Sequence, residues 1–172
     1  MSLSFFCLPA PFCDTMNKKQ ETILNMEKLP PIEKIYEAYS ALADGHVTIS
    51  EDAREAHIDS SDGAKNYTVR WEGSHYTSND SATYWAGYPG YPVLAVWMKQ
   101  GILPVNEAIA MQFKDVNWNA LNKEYKRNYA KAAEAVMNER QMDAAAVRAD
   151  AEQVYAKLKT LDLTVGRGKG RP

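Results

Sequence analysis

His75 and Asp80 are the side chains of this chain whose types could share a proton, and they stand five positions apart within an aromatic-rich stretch from Trp71 to Met98. A histidine and a carboxylate in a tyrosine-rich pocket would suit a small hydrolase or transferase, with the carboxylate orienting the imidazole. Ser74, Ser78 and Ser81 lie nearby, yet none occupies the G-x-S-x-G turn that presents a serine as nucleophile. Glu51 and Asp52 fall in what reads as an exposed turn, where nothing would shift a carboxyl into the range that acid–base work needs. No residue is therefore assigned a catalytic role, and the pattern leans away from an enzyme. His46, His57 and His75 show no ligand spacing with Asp59, Asp62 or Asp80, so no metal is expected. The glycines Gly166, Gly168 and Gly170 follow a helix in a basic tail and cannot form a dinucleotide fingerprint, and no phosphate loop is present, so no cofactor is expected either.

Binding is better represented than catalysis. Trp71, His75, Tyr76, Asn79, Asp80, Tyr84, Trp85, Tyr88 and Tyr91 are the candidate binding residues, because tyrosine and tryptophan combine a large apolar face with a polar handle at low entropic cost. Ser78-Asn79-Asp80-Ser81 has the composition of a helix cap or Asx turn, a local role that competes with ligand binding for Asn79 and Asp80. The reading is a non-catalytic binding or interaction module, with the loop 71–91 as its working surface and an unknown protein or small molecule as its partner. Single-stranded nucleic acid is a further alternative, since rings stack on bases while Arg167, Lys169 and Arg171 would follow phosphates.

The elements that must position these residues read as an α+β fold: an N-terminal helix, a small three-stranded antiparallel meander, then a mainly helical C-terminal half. Residues 1–29 read as a disordered leader, 30–118 as an α+β core domain, 119–163 as a helical hairpin or long helix, and 164–172 as a disordered basic tail. After Pro30-Pro31, Ile32, Ile35, Tyr36, Tyr39 and Leu42 recur at helical spacing until Asp44-Gly45. Val47 and Ile49, Ala56 and Ile58, then Tyr67, Val69 and Trp71 alternate with polar residues as three strands sharing one inner face. Pro92 opens an apolar helix that ends near Gly101, and a second begins at Leu103-Pro104. From Asn119 one long helix is predicted, with Leu121, Tyr125, Tyr129, Ala132, Ala133 and Val136 along one side.

A last helix, about 142–161, carries Val147, Ala151, Val154, Leu158 and Leu161 as a seam. That seam packs either on the core or on a second copy, so a homodimer is among the expected partners. The net charge of −2 hides an imbalance: from Ala120 onward the chain carries 11 Lys/Arg against 7 Asp/Glu. With a pI of about 5.9, this is too mild to imply nucleic acid by itself. Cys7 and Cys13 fit no metal or disulfide framework. No apolar run approaches the roughly 20 residues a bilayer span requires, and the leader lacks a basic start, so a cytoplasmic protein without membrane contact is expected.

Overall fold

A computed structural model describes residues 28–171. The expected leader falls mostly outside these residues. Among the described residues six α-helices and a five-stranded sheet form a mixed α+β fold around one continuous apolar core.

Helix α1, Lys34–Ala43, starts after the proline pair with turn bonds from Lys34 N–H to Pro31 O and from Ile35 N–H to Ile32 O. It ends as glycine at the residue after the cap requires: Gly45 has φ +71°, its N–H donates to Leu42 O, and His46 N–H reaches back to Ala41 O. Strands β1 (Val47–Ser50), β2 (Glu55–Asp59) and β3 (Asn66–Glu72) then form the antiparallel meander, in the register Val47 to Ile58 and Ile58 to Tyr67. Val47, Ala56, Ile58, Tyr67 and Val69 are buried on its inner face, as their alternation predicts.

Two further strands correct the expected three. Strand β4, His75–Ser78, pairs with β3 through the two-residue turn Gly73-Ser74, with Gly73 at φ +56°. Strand β5, Thr164–Arg167, comes from the stretch expected to lack structure and lies parallel to β4. The helix-then-strand order is thus broken, because the sheet is completed by a strand that follows every helix. Gly168, expected in a disordered tail, stands where two backbones approach closely. A Cβ on Gly168 would lie 2.7 Å from the carbonyl carbon of Ser78, and Gly168 N–H donates to Ser78 O at 2.7 Å.

Helix α2, Tyr91–Lys99, is buried from Pro92 to Met98 and packs on β1, β3 and β4, while α1 packs against α2. It stops at Gly101, φ +74°, by the same pattern of returning N–H groups as α1. A short helix α3, Glu107–Ala110, capped by Asn106, runs into a 3-10 turn whose Phe113 is fully buried, its ring 5.1 Å from that of Tyr36. The long helix expected from Asn119 is two helices, α4 (Trp118–Glu124) and α5 (Tyr129–Glu139). Between them Lys126 and Arg127 take the left-handed region, at φ 50° and 64°, and the side chain of Asn128 accepts the Lys131 N–H and caps α5. Polar capping at Asn128 overrides the apolar period that would have carried the helix through.

Helix α6, Ala144–Leu158, is capped by Asp143 and buries Val147, Ala151, Val154 and Leu158 in the same core. Tyr39 donates to Asp150 at 2.5 Å and Tyr155 to Pro30 O at 2.9 Å, which ties this helix to the N-terminal one. The seam is therefore covered within the chain and presents no apolar stripe to a second copy. No helix among the described residues is long and apolar enough to cross a membrane.

Candidate binding cleft

The aromatic stretch does not act as one surface; the strand–turn–helix path divides it. Trp71 and Tyr76 go to the core: the Tyr76 ring lies 6.0 Å from Trp71 and 5.4 Å from Trp97, and its hydroxyl donates to Gln100 Oε1. Asn79 spends its side-chain oxygen on the Thr68 N–H of β3 at 2.8 Å, a bond to a distant strand and not the cap or Asx turn its sequence suggests. His75 lies exposed at the start of β4, with Nδ1 2.8 Å from Thr164 Oγ1 of β5. Tyr84 faces β5, where Arg167 donates to its carbonyl and sits 5.3 Å over its ring. Asp80, Trp85, Tyr88 and Tyr91 remain, and these four line a cleft of about 970 Å³.

A π-helical turn, Ala82–Ala86, sets their directions. Asp80 Oδ1 accepts the N–H groups of Ala82 and Thr83 and so starts the turn, as a capping carboxylate does. Gly87, left-handed at φ 73°, ends it. The chain then returns so closely that Gly90 lies against Asp80: an added Cβ would be 2.6 Å from Asp80 Cγ and closer still to Oδ1. Asp80 is only 4% exposed, and its Oδ2 has no hydrogen-bond partner among the described residues.

The opposite wall comes from α1, α4 and the start of α5, which sequence reasoning left out of the site. Lys34 and Glu37, 7% and 4% exposed, form a buried pair at 2.8 Å. The Lys34 ammonium lies 3.9 Å from the centre of the Tyr129 ring, and Asn122 Nδ2 donates to Glu37 Oε1 at 3.0 Å. Asn122 Oδ1 is buried without a donor among the described residues. Lys65, Lys123, Lys126 and Arg127 form an exposed cationic rim. The trace of this wall in the sequence is a charged pair at i, i+3 on a helix whose other positions are apolar or aromatic except Ser40, a pair that is buried together. Lys123, Lys126 and Arg127 reach the rim because the expected long helix is interrupted after Glu124.

Burial alone would pull the Lys34 ammonium below its usual range, but the Glu37 carboxylate outweighs it and leaves the pKa raised. Burial pushes the Tyr91 phenol far up, with Tyr67, Glu37 and Asp80 adding to it, and Tyr67 and Tyr88 move up for the same first reason. In the core Tyr36 rises to about 12 through burial, and Tyr39 rises further through burial and its bond to Asp150. All these groups hold their protons more tightly when folded than when unfolded, so their contribution is complete below the unfolded values of 10.0 for tyrosine and 10.5 for lysine. It is lost as pH rises through the folded values. Thermal unfolding followed by circular dichroism should therefore show a falling midpoint above pH 10, and a midpoint unchanged to pH 12 would contradict the burial of these phenols.

The described lining offers fixed donors, fixed acceptors and ring faces, but no histidine or cysteine. Among the described residues no three His, Cys, Asp or Glu side chains converge to hold a metal ion. No curated protein and no solved structure matches the chain. A family model does match residues 27–164, a span that includes every residue lining the cleft, and the chain belongs to that family, described as Uncharacterised conserved protein UCP014422.

Proposed function

We propose that this protein is a non-catalytic binding module whose working surface is the cleft between the π-helical turn, α1 and α4, and that it takes a small molecule there. The supporting observation is the pair of buried acceptors, Asp80 Oδ2 and Asn122 Oδ1, left without donors beside an exposed indole. A buried polar atom without a partner costs on the order of 1–3 kcal/mol, so two at one cleft mark a place where a bound group repays that cost. The volume of about 970 Å³ stands at the upper end of small-molecule sites. The enzyme alternative loses support from the same geometry: Asp80 lines the cleft, whereas His75 lies outside its lining and faces Thr164 of β5.

A thermal-shift screen of small metabolites against the wild type and Trp85→Ala tests this reading. Trp85 is 61% exposed, so its removal should leave the circular dichroism spectrum and midpoint of the free protein nearly unchanged. A ligand at a hundred times its Kd should stabilise the wild type by about 2.7 kcal/mol and the variant by much less. Equal stabilisation of both proteins would remove the cleft as the working surface.

A further inference from the structure

Three kinds of free group meet in this cleft, and they constrain the chemistry of its occupant. Resting on the reading of the cleft as a binding surface, we propose that it takes a nucleotide: an amino-bearing base is held by Asp80 and Asn122 and stacked on Trp85, with its phosphate on Lys123, Lys126 and Arg127.

The acceptors decide one end of the ligand. Asp80 Oδ2 and Asn122 Oδ1, each buried and without a donor among the described residues, can only accept, so a group that reaches them as these side chains turn toward the cleft must carry N–H donors. A carboxylate oxygen accepts from the exocyclic amine of a base in this way. The cations decide the other end. Lys123, Lys126 and Arg127 fall within five positions where α4 gives way to α5, and none has an ion-pair partner among the described residues. Such a group suits a phosphate, which an arginine can hold with two parallel hydrogen bonds. Between the two ends stands Trp85, whose exposed ring can stack on any base.

Other ligands satisfy only part of this set. A simple amine would face the cationic rim, and a lone phosphate would leave both acceptors unmet. A free amino acid has both charges, but it is small for about 970 Å³ and gains little from an exposed indole. The same nucleotide unit could be free or part of a strand. In a strand a neighbouring phosphate would find Arg167, whose guanidinium lies 6.0 Å from the Trp85 ring on the side of β5.

Calorimetric titration with adenosine monophosphate, inosine monophosphate, adenosine, orthophosphate and a short oligoadenylate tests the proposal. Adenosine monophosphate should bind, and inosine monophosphate, which lacks the amine, should bind about tenfold more weakly. Adenosine and orthophosphate should each lose at least about tenfold. In Lys126→Gly/Arg127→Gly the left-handed backbone suits glycine, so the protein stays folded. This variant should lose the phosphate advantage and retain its affinity for adenosine. Binding of the oligoadenylate alone, falling steeply with salt, would support the same chemistry with a strand as its source. Equal affinity for all three of adenosine monophosphate, inosine monophosphate and adenosine would overturn the proposal. Were none of the five probes to bind while another compound stabilised the wild type through Trp85, the nucleotide would be excluded and the binding reading would stand. If the metabolite screen also yielded no ligand, both would fall.

Discussion

Gly90→Ala is expected to lower folding stability by about 2–4 kcal/mol, from overpacking and from lost hydrogen bonds at the Asp80 turn. The backbone of Gly90 is extended, φ −70° and ψ 170°, so alanine fits its conformation. The obstacle is the Asp80 carboxyl, which occupies the space a Cβ would enter. To make room, Asp80 must release the Ala82 and Thr83 N–H groups that begin the turn carrying Trp85. The same displacement would pull Gly90 N–H from Thr83 Oγ1, a 3.0 Å bond between buried residues. Urea denaturation of Gly90→Ala, Asp80→Ala and the double variant gives a clean test. The double variant should be more stable than the sum of the single losses requires, by about 1–3 kcal/mol, because deleting the carboxyl removes the obstruction. Strictly additive losses would mean that Gly90 and Asp80 do not meet as described.

Glu37→Leu should cost more, about 3–5 kcal/mol, because it strands the Lys34 ammonium in a nearly dry site. The Asn122 amide would lose its acceptor as well. Lys34→Met/Glu37→Leu removes both charges at similar volume and should recover most of the loss, since the desolvation of a buried pair roughly cancels its attraction. Equilibrium unfolding of the three proteins distinguishes the cases. If Glu37→Leu alone were as stable as the wild type, water would have to reach Lys34, and the inner wall of the cleft would be open. A double variant that stays stable but fails to bind would show that the pair serves the ligand more than the fold.

Local chemistry explains which parts were legible. Gly45 and Gly101 end α1 and α2 as a glycine after a helix should, and Pro92 falls in the first turn of α2. The seam of α6 is apolar at helical spacing and is buried. Strand β4 escaped because its inward positions are Tyr76 and Ser78: a buried serine hides the alternation, although Glu72-Gly73-Ser74-His75 carries a recognisable hairpin turn. Strand β5 escaped because Gly166 within it and Gly168 just after it read as flexibility, whereas Gly168 answers to the proximity of another backbone. The cleft was half visible. Asp80, Trp85, Tyr88 and Tyr91 share one stretch of sequence, but Lys34, Glu37 and Asn122 reach them only through tertiary packing, which no local period records.

The parallel pairing of β4 with β5 also bears on how the molecule comes together. The meander can close from neighbouring residues, and each of its strands has a partner within a short loop. The outer edge of β4 has none until the chain has passed through α2 to α6 and returned at Thr164. During that interval a row of unpaired N–H and C=O groups lies bare, and such a row is a template for the strand of another molecule. Non-local parallel pairing is also slow to form, because a long loop must close before any contact rewards it. Gly168, just after β5, thus bears on the timing of assembly as well as its geometry: it admits the chain beside Ser78 at the closing position, and until it arrives the sheet is open to the wrong partner.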